Sequence, residues 1–223
     1  MKTRWLFSGL VLFLAACVAA PQASRPAAPA ASATAPSSGH GTLHQSPLGF
    51  AVMVPDGWMI LSQQDLKENA GLISADNPMF AKMDKNVIFV IKQKIESGNL
   101  ELFMSTSMAN LMFVSNINFA KQIGRLPADA DAVKQLCEQL PGEYSQAFGK
   151  DIHFTQCGLE TVAGQSALHL ISTGALPNGT TIQYFLQQSA NEILVITGTF
   201  SPQNLAKDEA DLDSIVGSMK FQN

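Results

Sequence analysis

Four segments rich in β-branched and aromatic residues, at 152–156, 167–174, 180–187 and 193–200, follow one another closely and constrain the fold more than any other feature of the chain. Pro177-Asn178-Gly179 and Ser189-Ala190-Asn191 separate the last three. Connections this short join neighbouring antiparallel strands, because a parallel return needs a dozen or more residues. Ser201-Pro202 then supplies a helix start, and Leu205, Leu212, Ile215, Val216 and Met219 form one apolar stripe behind it. That stripe docks a terminal helix on the sheet, so the fold class is α+β: an antiparallel β-sheet flanked by α-helices.

Upstream, residues 48–54 read as a strand, Pro55-Asp56-Gly57 as a tight turn and Trp58 as the start of a second strand, so a hairpin is expected to open the domain. Residues 62–71 are helix-compatible, and Asn77-Pro78 ends that stretch. The apolar run at 86–93 predicts a central strand. Leu100, Phe103, Met104, Met108, Leu111 and Met112 recur at spacings of three and four, which predicts a helix. Met104, Met108 and Met112 would share one stripe, either packed in the core or offered to a partner as a soft contact face. A further helix is expected over 128–140. Asp129 and Asp131 suit its positive end, Val133, Leu136, Cys137 and Leu140 form its stripe, and Pro141-Gly142 stops it.

The N-terminal region is of another kind. Lys2 and Arg4 precede a short apolar run ending near Leu14, which is a secretory signal too short to remain as a membrane span. Leu14-Ala15-Ala16-Cys17 resembles the bacterial lipobox at every position, although a plain signal peptide cut after a later Ala is the alternative. The resemblance implies that residues 1–16 are removed and that Cys17 carries the lipid anchor. Acyl chains contribute about 0.8 kcal/mol per buried CH₂, so two or three suffice for stable attachment. Val18 rather than Asp follows Cys17, which in a Gram-negative host implies export to the outer membrane. Residues 17–47 then form a tether dominated by Ala, Pro and Ser with Arg25 as its one fully charged residue, too poor in apolar side chains to order itself. Its His40 and His44 read as solvated linker residues, and 48–223 forms the globular domain.

Of the 223 residues, 14% are charged and 46% hydrophobic, and the net charge is -4. Residues 1–16 hold two cations and no acid, so their removal leaves -6. No basic surface for phosphate backbones is expected, which argues against nucleic acid as a partner. The chain carries no Gly-x-Ser-x-Gly elbow, no His-Glu-x-x-His helix and no phosphate-binding glycine loop. His153 and His169 fall on strands near Asp151 and Glu160. An acid–base pair is conceivable there, but isolated strand histidines are usually satisfied structural residues. Asp208, Glu209, Asp211 and Asp213 read as the solvated face of the terminal helix rather than a cation site. No enzyme activity, cofactor or metal is therefore expected. Cys137 and Cys157 remain once Cys17 is lipidated, and in an oxidising compartment they either form a disulfide or sit buried as small apolar residues.

Gly49-Phe50-Ala51-Val52-Met53-Val54-Pro55-Asp56-Gly57-Trp58, together with Gln183-Tyr184-Phe185 and the closing Ser214-Ile215-Val216-Gly217-Ser218-Met219-Lys220-Phe221, resembles the entry and exit of PsbP-like and DcrB-like domains. The resemblance implies a PsbP-like α/β/α sandwich acting as a non-catalytic binding or assembly module. Residues 76–119 do not follow the family pattern clearly. The expected function is that of an envelope lipoprotein, anchored in the membrane through Cys17, whose domain binds another envelope protein. The alternative is a periplasmic carrier or sensor of a lipid or small apolar ligand.

Overall fold

The computed structural model describes residues 41–74, 76–77, 80, 85–107, 114–175 and 179–222, among which are ten strands and four helices. β1 (Gly41–Ser46), β2 (Phe50–Pro55) and the short β10 (Lys220–Phe221) form a small antiparallel sheet in the order β1-β2-β10. The larger sheet takes β3 (Trp58–Leu61), β4 (Leu100–Ser105), β5 (Asn116–Ile123), β6 (His153–Val162), β7 (Gln165–Thr173), β8 (Thr180–Ser189) and β9 (Glu192–Phe200). Its order is β3-β4-β5-β9-β8-β7-β6, antiparallel throughout. The helices are α1 (Gln63–Glu68), α2 (Lys85–Glu96), α3 (Ala130–Phe148) and α4 (Leu205–Gly217). The fold is α+β.

Both faces of the large sheet are covered, and the strand alternation sorts its side chains between them. On one face, Phe103, Ile117, Phe119, Leu194 and Ile196 meet Phe50, Val52 and Val54 of the small sheet and Leu212, Ile215 and Val216 of α4. Phe119 lies 5.0 Å from the Phe50 ring and 4.7 Å from that of Phe103, centre to centre, so these aromatics join the two sheets. On the other face, Leu100, Leu102 and Met104 pack with Leu66 of α1 and Ile88, Ile91 and Ile95 of α2. Farther along that face, Val133, Leu140 and Tyr144 of α3 meet Leu168, Leu170, Phe185 and Val195. Gly198 lets α4 approach β9: a Cβ there would run into the Phe200 ring and the Leu212 side chain.

Several expectations are corrected. β2 and β3 do not form a hairpin. The Pro55-Asp56-Gly57 turn instead carries the chain from the small sheet into the large one, with β2 between β1 and β10 and β3 paired to β4. The reason is layering, since Phe50, Val52 and Val54 lie over the large sheet and cannot also extend it. Residues 86–93 belong to helix α2 rather than to a strand. Burial follows Ile88, Ile91 and Ile95 while Phe89 remains 59% exposed, a helical period that the β-branched run conceals. Conversely, Leu100 to Ser105 is a strand covered on both faces, and the spacing of three and four is incidental. Met104 is buried against the α2 cluster and is not a surface contact; Met108 and Met112 lie outside the described residues.

The helix expected to stop at Pro141 runs on to Phe148, and Gly149 in the left-handed region ends it. Pro141 forfeits one backbone hydrogen bond, but Leu140 and Tyr144 continue the buried stripe, and their packing outweighs that loss. The terminal helix begins at Leu205, after Pro202 rather than on it. β1 lies at Gly41–Ser46, inside the stretch expected to be tether, and β6 runs to Val162 before turning through Ala163 and Gly164, both at positive φ.

The structure joins Cys137 of α3 to Cys157 of β6, with Cα atoms 5.7 Å apart and a sequence separation of 20. Closing a loop of that length stabilises by roughly 3 kcal/mol on the chain-entropy account. Replacing both cysteines by Ser should lower stability by about that amount in equilibrium denaturation. An intact mass that gains two hydrogens on reduction would identify the bond, and an unchanged mass would exclude it.

Candidate functional site

A cleft of about 540 Å³ opens between β1, at the edge of the small sheet, and the β3–α1 corner of the large one. Ser62 shapes that corner: its side chain accepts from the Asp65 amide while the Asp65 carboxylate accepts from the Ser62 amide, a reciprocal cap that starts α1. Glu101 lies at the bottom, only 1% exposed, on the β4 face that also carries Phe103. His44 reaches from β1, and its Nε2 lies 3.3 and 3.2 Å from the two Glu101 carboxylate oxygens. The edge of its ring meets Phe103, with centroids 5.5 Å apart. Gln45, Gln63, Gln64 and Gln222 complete the polar walls.

His44 is therefore not a solvated linker residue but part of an inter-sheet pair. Sequence reasoning missed it because composition was averaged over the tether, although Ala and Pro are absent from 37 to 46. Glu101 was hidden in an apolar run read as a helix. Its signal would have been a carboxylate between Leu100 and Leu102, where burial forces a partner.

Of the two strand histidines, His169 meets Glu160 as a structural residue, and His153 takes no part in that contact. His169 Nδ1 lies 2.9 Å from Glu160 Oε2 and 3.0 Å from Gln156 Nε2. That nitrogen either donates to Glu160 or accepts from Gln156, not both. The ring stacks on Tyr184 at 4.4 Å and 7°, and Tyr184 donates its hydroxyl to Asp213 of α4 at 3.0 Å. Burial, then the Asp213 charge, raises the Tyr184 phenol well above its ordinary range, so it stays a donor. His169 is 6% exposed, and its Nε2 is buried without a partner. The geometry clasps β6, β7, β8 and α4 together. His153 pairs with Thr173 in register, whereas His169 pairs with Gly158.

The acidic group of α4 is also less solvated than expected. Asp211 accepts from the indole Nε1 of Trp58 at 2.8 Å, Asp213 accepts from Tyr184, and Asp208 is 1% exposed. Burial raises the Asp208 pKa despite an opposing hydrogen bond from Ser115. Among the described residues, no group of three or more His, Cys, Asp or Glu is placed to hold a metal ion. A buried polar network went unforeseen: Tyr144 donates to Gln183 Oε1, and Gln183 Nε2 donates to Thr197. Its signal was the alternation of Gln183 and Thr197 with apolar neighbours in strands buried on both faces. Cys17 lies outside the described residues.

No protein-family model matches the chain, and no curated protein matches it. Among solved structures it is similar to the cyanobacterial PsbP of Synechocystis sp. PCC 6803, at 10% identity and a TM-score of 0.49, over 85% of this chain and 98% of that one. It is also similar to LpqN of Mycobacterium tuberculosis, a protein involved in cell envelope biogenesis, at 14% identity and a TM-score of 0.45, over 82% and 91% of the two chains. A protein of unknown function from Pseudomonas aeruginosa shares 14% identity at a TM-score of 0.38, over 77% and 90%.

Three variants test these assignments. His44→Ala leaves the Glu101 carboxylate buried without its imidazole partner and should destabilise the domain by about 3–5 kcal/mol; replacing both residues by Leu should cost far less. Chemical denaturation of the two variants measures the difference. For Asp208, a raised pKa means that the folded state holds the proton more tightly than the unfolded chain does. The resulting stabilisation is full below the ordinary value of 3.8 and is lost as pH rises through the folded-state pKa. Asp208→Asn should therefore melt above the wild type at neutral pH and converge with it in acid; thermal melts across pH would show this.

Proposed function

We propose that this protein is an envelope lipoprotein, anchored through Cys17, whose domain is a non-catalytic module that binds another envelope protein. The observation that carries the reading is on the small sheet. Leu43 of β1 and Met53 of β2 are direct cross-strand partners, and both face outward at 59% and 40% exposure. Large apolar side chains set side by side on an outer sheet face favour contact with a partner. The titratable side chains support the same reading from the other direction, because His169, Tyr184 and Asp211 are engaged in contacts between elements.

The attachment point agrees with this arrangement, since β1 begins at Gly41, 24 positions after Cys17 in sequence, and carries Leu43 itself. Among the described residues, no helix is long and apolar enough to cross a membrane. The lipid on Cys17 is thus the proposed anchor, on the outer membrane facing the periplasm in a Gram-negative host. The inter-sheet cleft is walled by amide and carboxylate groups, so it does not favour the alternative role of an apolar-ligand carrier.

Cys17→Ser should move the protein from the membrane to the soluble fraction, and retention in the membrane would defeat the anchor. A photo-crosslinking residue placed at Leu43 or Met53 in cells should join one envelope protein reproducibly, whereas the same residue at exposed Leu159 on β6 should not. Identical products from all three positions would remove the small sheet as the contact face.

A further inference from the structure

We propose that the cleft beside Glu101 receives a basic side chain of the partner protein, an arginine or lysine whose cationic end meets the Glu101 carboxylate; this rests on the partner-binding reading above. A carboxylate at 1% exposure needs compensation in full, and ionised it offers about four acceptor sites. His44 supplies one ring nitrogen, shared between both oxygens at 3.3 and 3.2 Å, which leaves most of that capacity unused. Among the described residues, no Lys or Arg forms an ion pair with Glu101. The remaining walls of Gln45, Gln63, Gln64 and Gln222 are neutral. They can hydrogen-bond a guanidinium or ammonium group but cannot replace its charge.

Shape and field favour the same occupant. The cleft encloses about 540 Å³ and is open to solvent, enough for one long side chain to enter end-on with Glu101 at its base. Its amide walls suit the planar, many-donor guanidinium in particular. The chain is net acidic at -4, so its field draws basic surfaces. Leu43 and Met53 lie on the same small sheet whose β1 edge supplies His44 and Gln45, so apolar contact and the basic anchor can belong to one interface.

The test needs no partner, which separates its failure from failure of the partner-binding reading. Full-length protein in detergent micelles is titrated with N-acetyl-arginine amide, N-acetyl-lysine amide and the uncharged N-acetyl-norleucine amide, and NMR follows the side-chain amides of Gln45, Gln63 and Gln222. The basic probes should give saturable shifts and norleucine none. Glu101→Gln should weaken basic-probe binding by about tenfold or more, as expected for losing a charge-assisted contact in a shielded site. If that variant fails to fold, Gln45→Lys serves instead: its built-in cation should occupy the cleft and abolish probe binding in a folded protein. Equal binding to Glu101→Gln or Gln45→Lys, equal binding of norleucine, or no saturable shift with any probe would overturn the proposal. Putrescine binding in place of both blocked amino acids would overturn the protein source in favour of a free amine. Probe binding that appears only in Arg25→Ala would overturn it in favour of the chain's own tether.

Discussion

The antiparallel pairing of β5 with β9, over eight residue pairs from Asn116 with Thr199 to Ile123 with Glu192, is the contact on which the rest of the molecule depends. It joins the group β3-β4-β5, in which the chain passes through α1 and α2 between β3 and β4, to the meander β6-β7-β8-β9, whose strands follow one another through short connections. The partners are far apart in sequence, so closing this pair is entropically demanding and needs burial on both faces to hold it. Phe119 of β5 supplies much of that burial through Phe50 and Phe103, and α4 docks over Gly198 of β9. The small sheet and the terminal helix thus cover one face of a seam that neither group of strands provides alone.

Polar side chains secure the layers that this seam brings together. His44 with Glu101 ties the small sheet to β4, Trp58 with Asp211 ties β3 to α4, and Tyr184 with Asp213 ties β8 to the same helix. Each bond spans more than fifteen residues of sequence and adds direction to contacts that apolar packing leaves non-directional. Glu101 differs from the others in its surroundings. It is the most deeply buried of these carboxylates, yet it also lines the open cleft, so the same group both closes the fold and borders solvent-accessible volume.

The sequence by itself determined the features carried by local rules. The C-terminal strands, their order of hairpin connection and the docking stripe of α4 were legible because alternation and turn residues act over a few positions. The Cys137–Cys157 pairing and the His169–Glu160 contact were legible as candidates, but only strand register brought their atoms together. Between β1 and β5 the sequence showed the strand and helix character of β2, β3 and α1, and tertiary structure decided β1, α2, β4, β5 and the sheet to which β2 and β3 belong. Whether 86–93 is strand or helix, and whether 100–105 is helix or strand, depends on how many faces each segment buries, a property that a β-branched or apolar run does not state. The cleft belongs to that second class as well: Glu101 and His44 are 57 residues apart, and they meet only because the chain changes sheets at Pro55-Asp56-Gly57 instead of closing a hairpin.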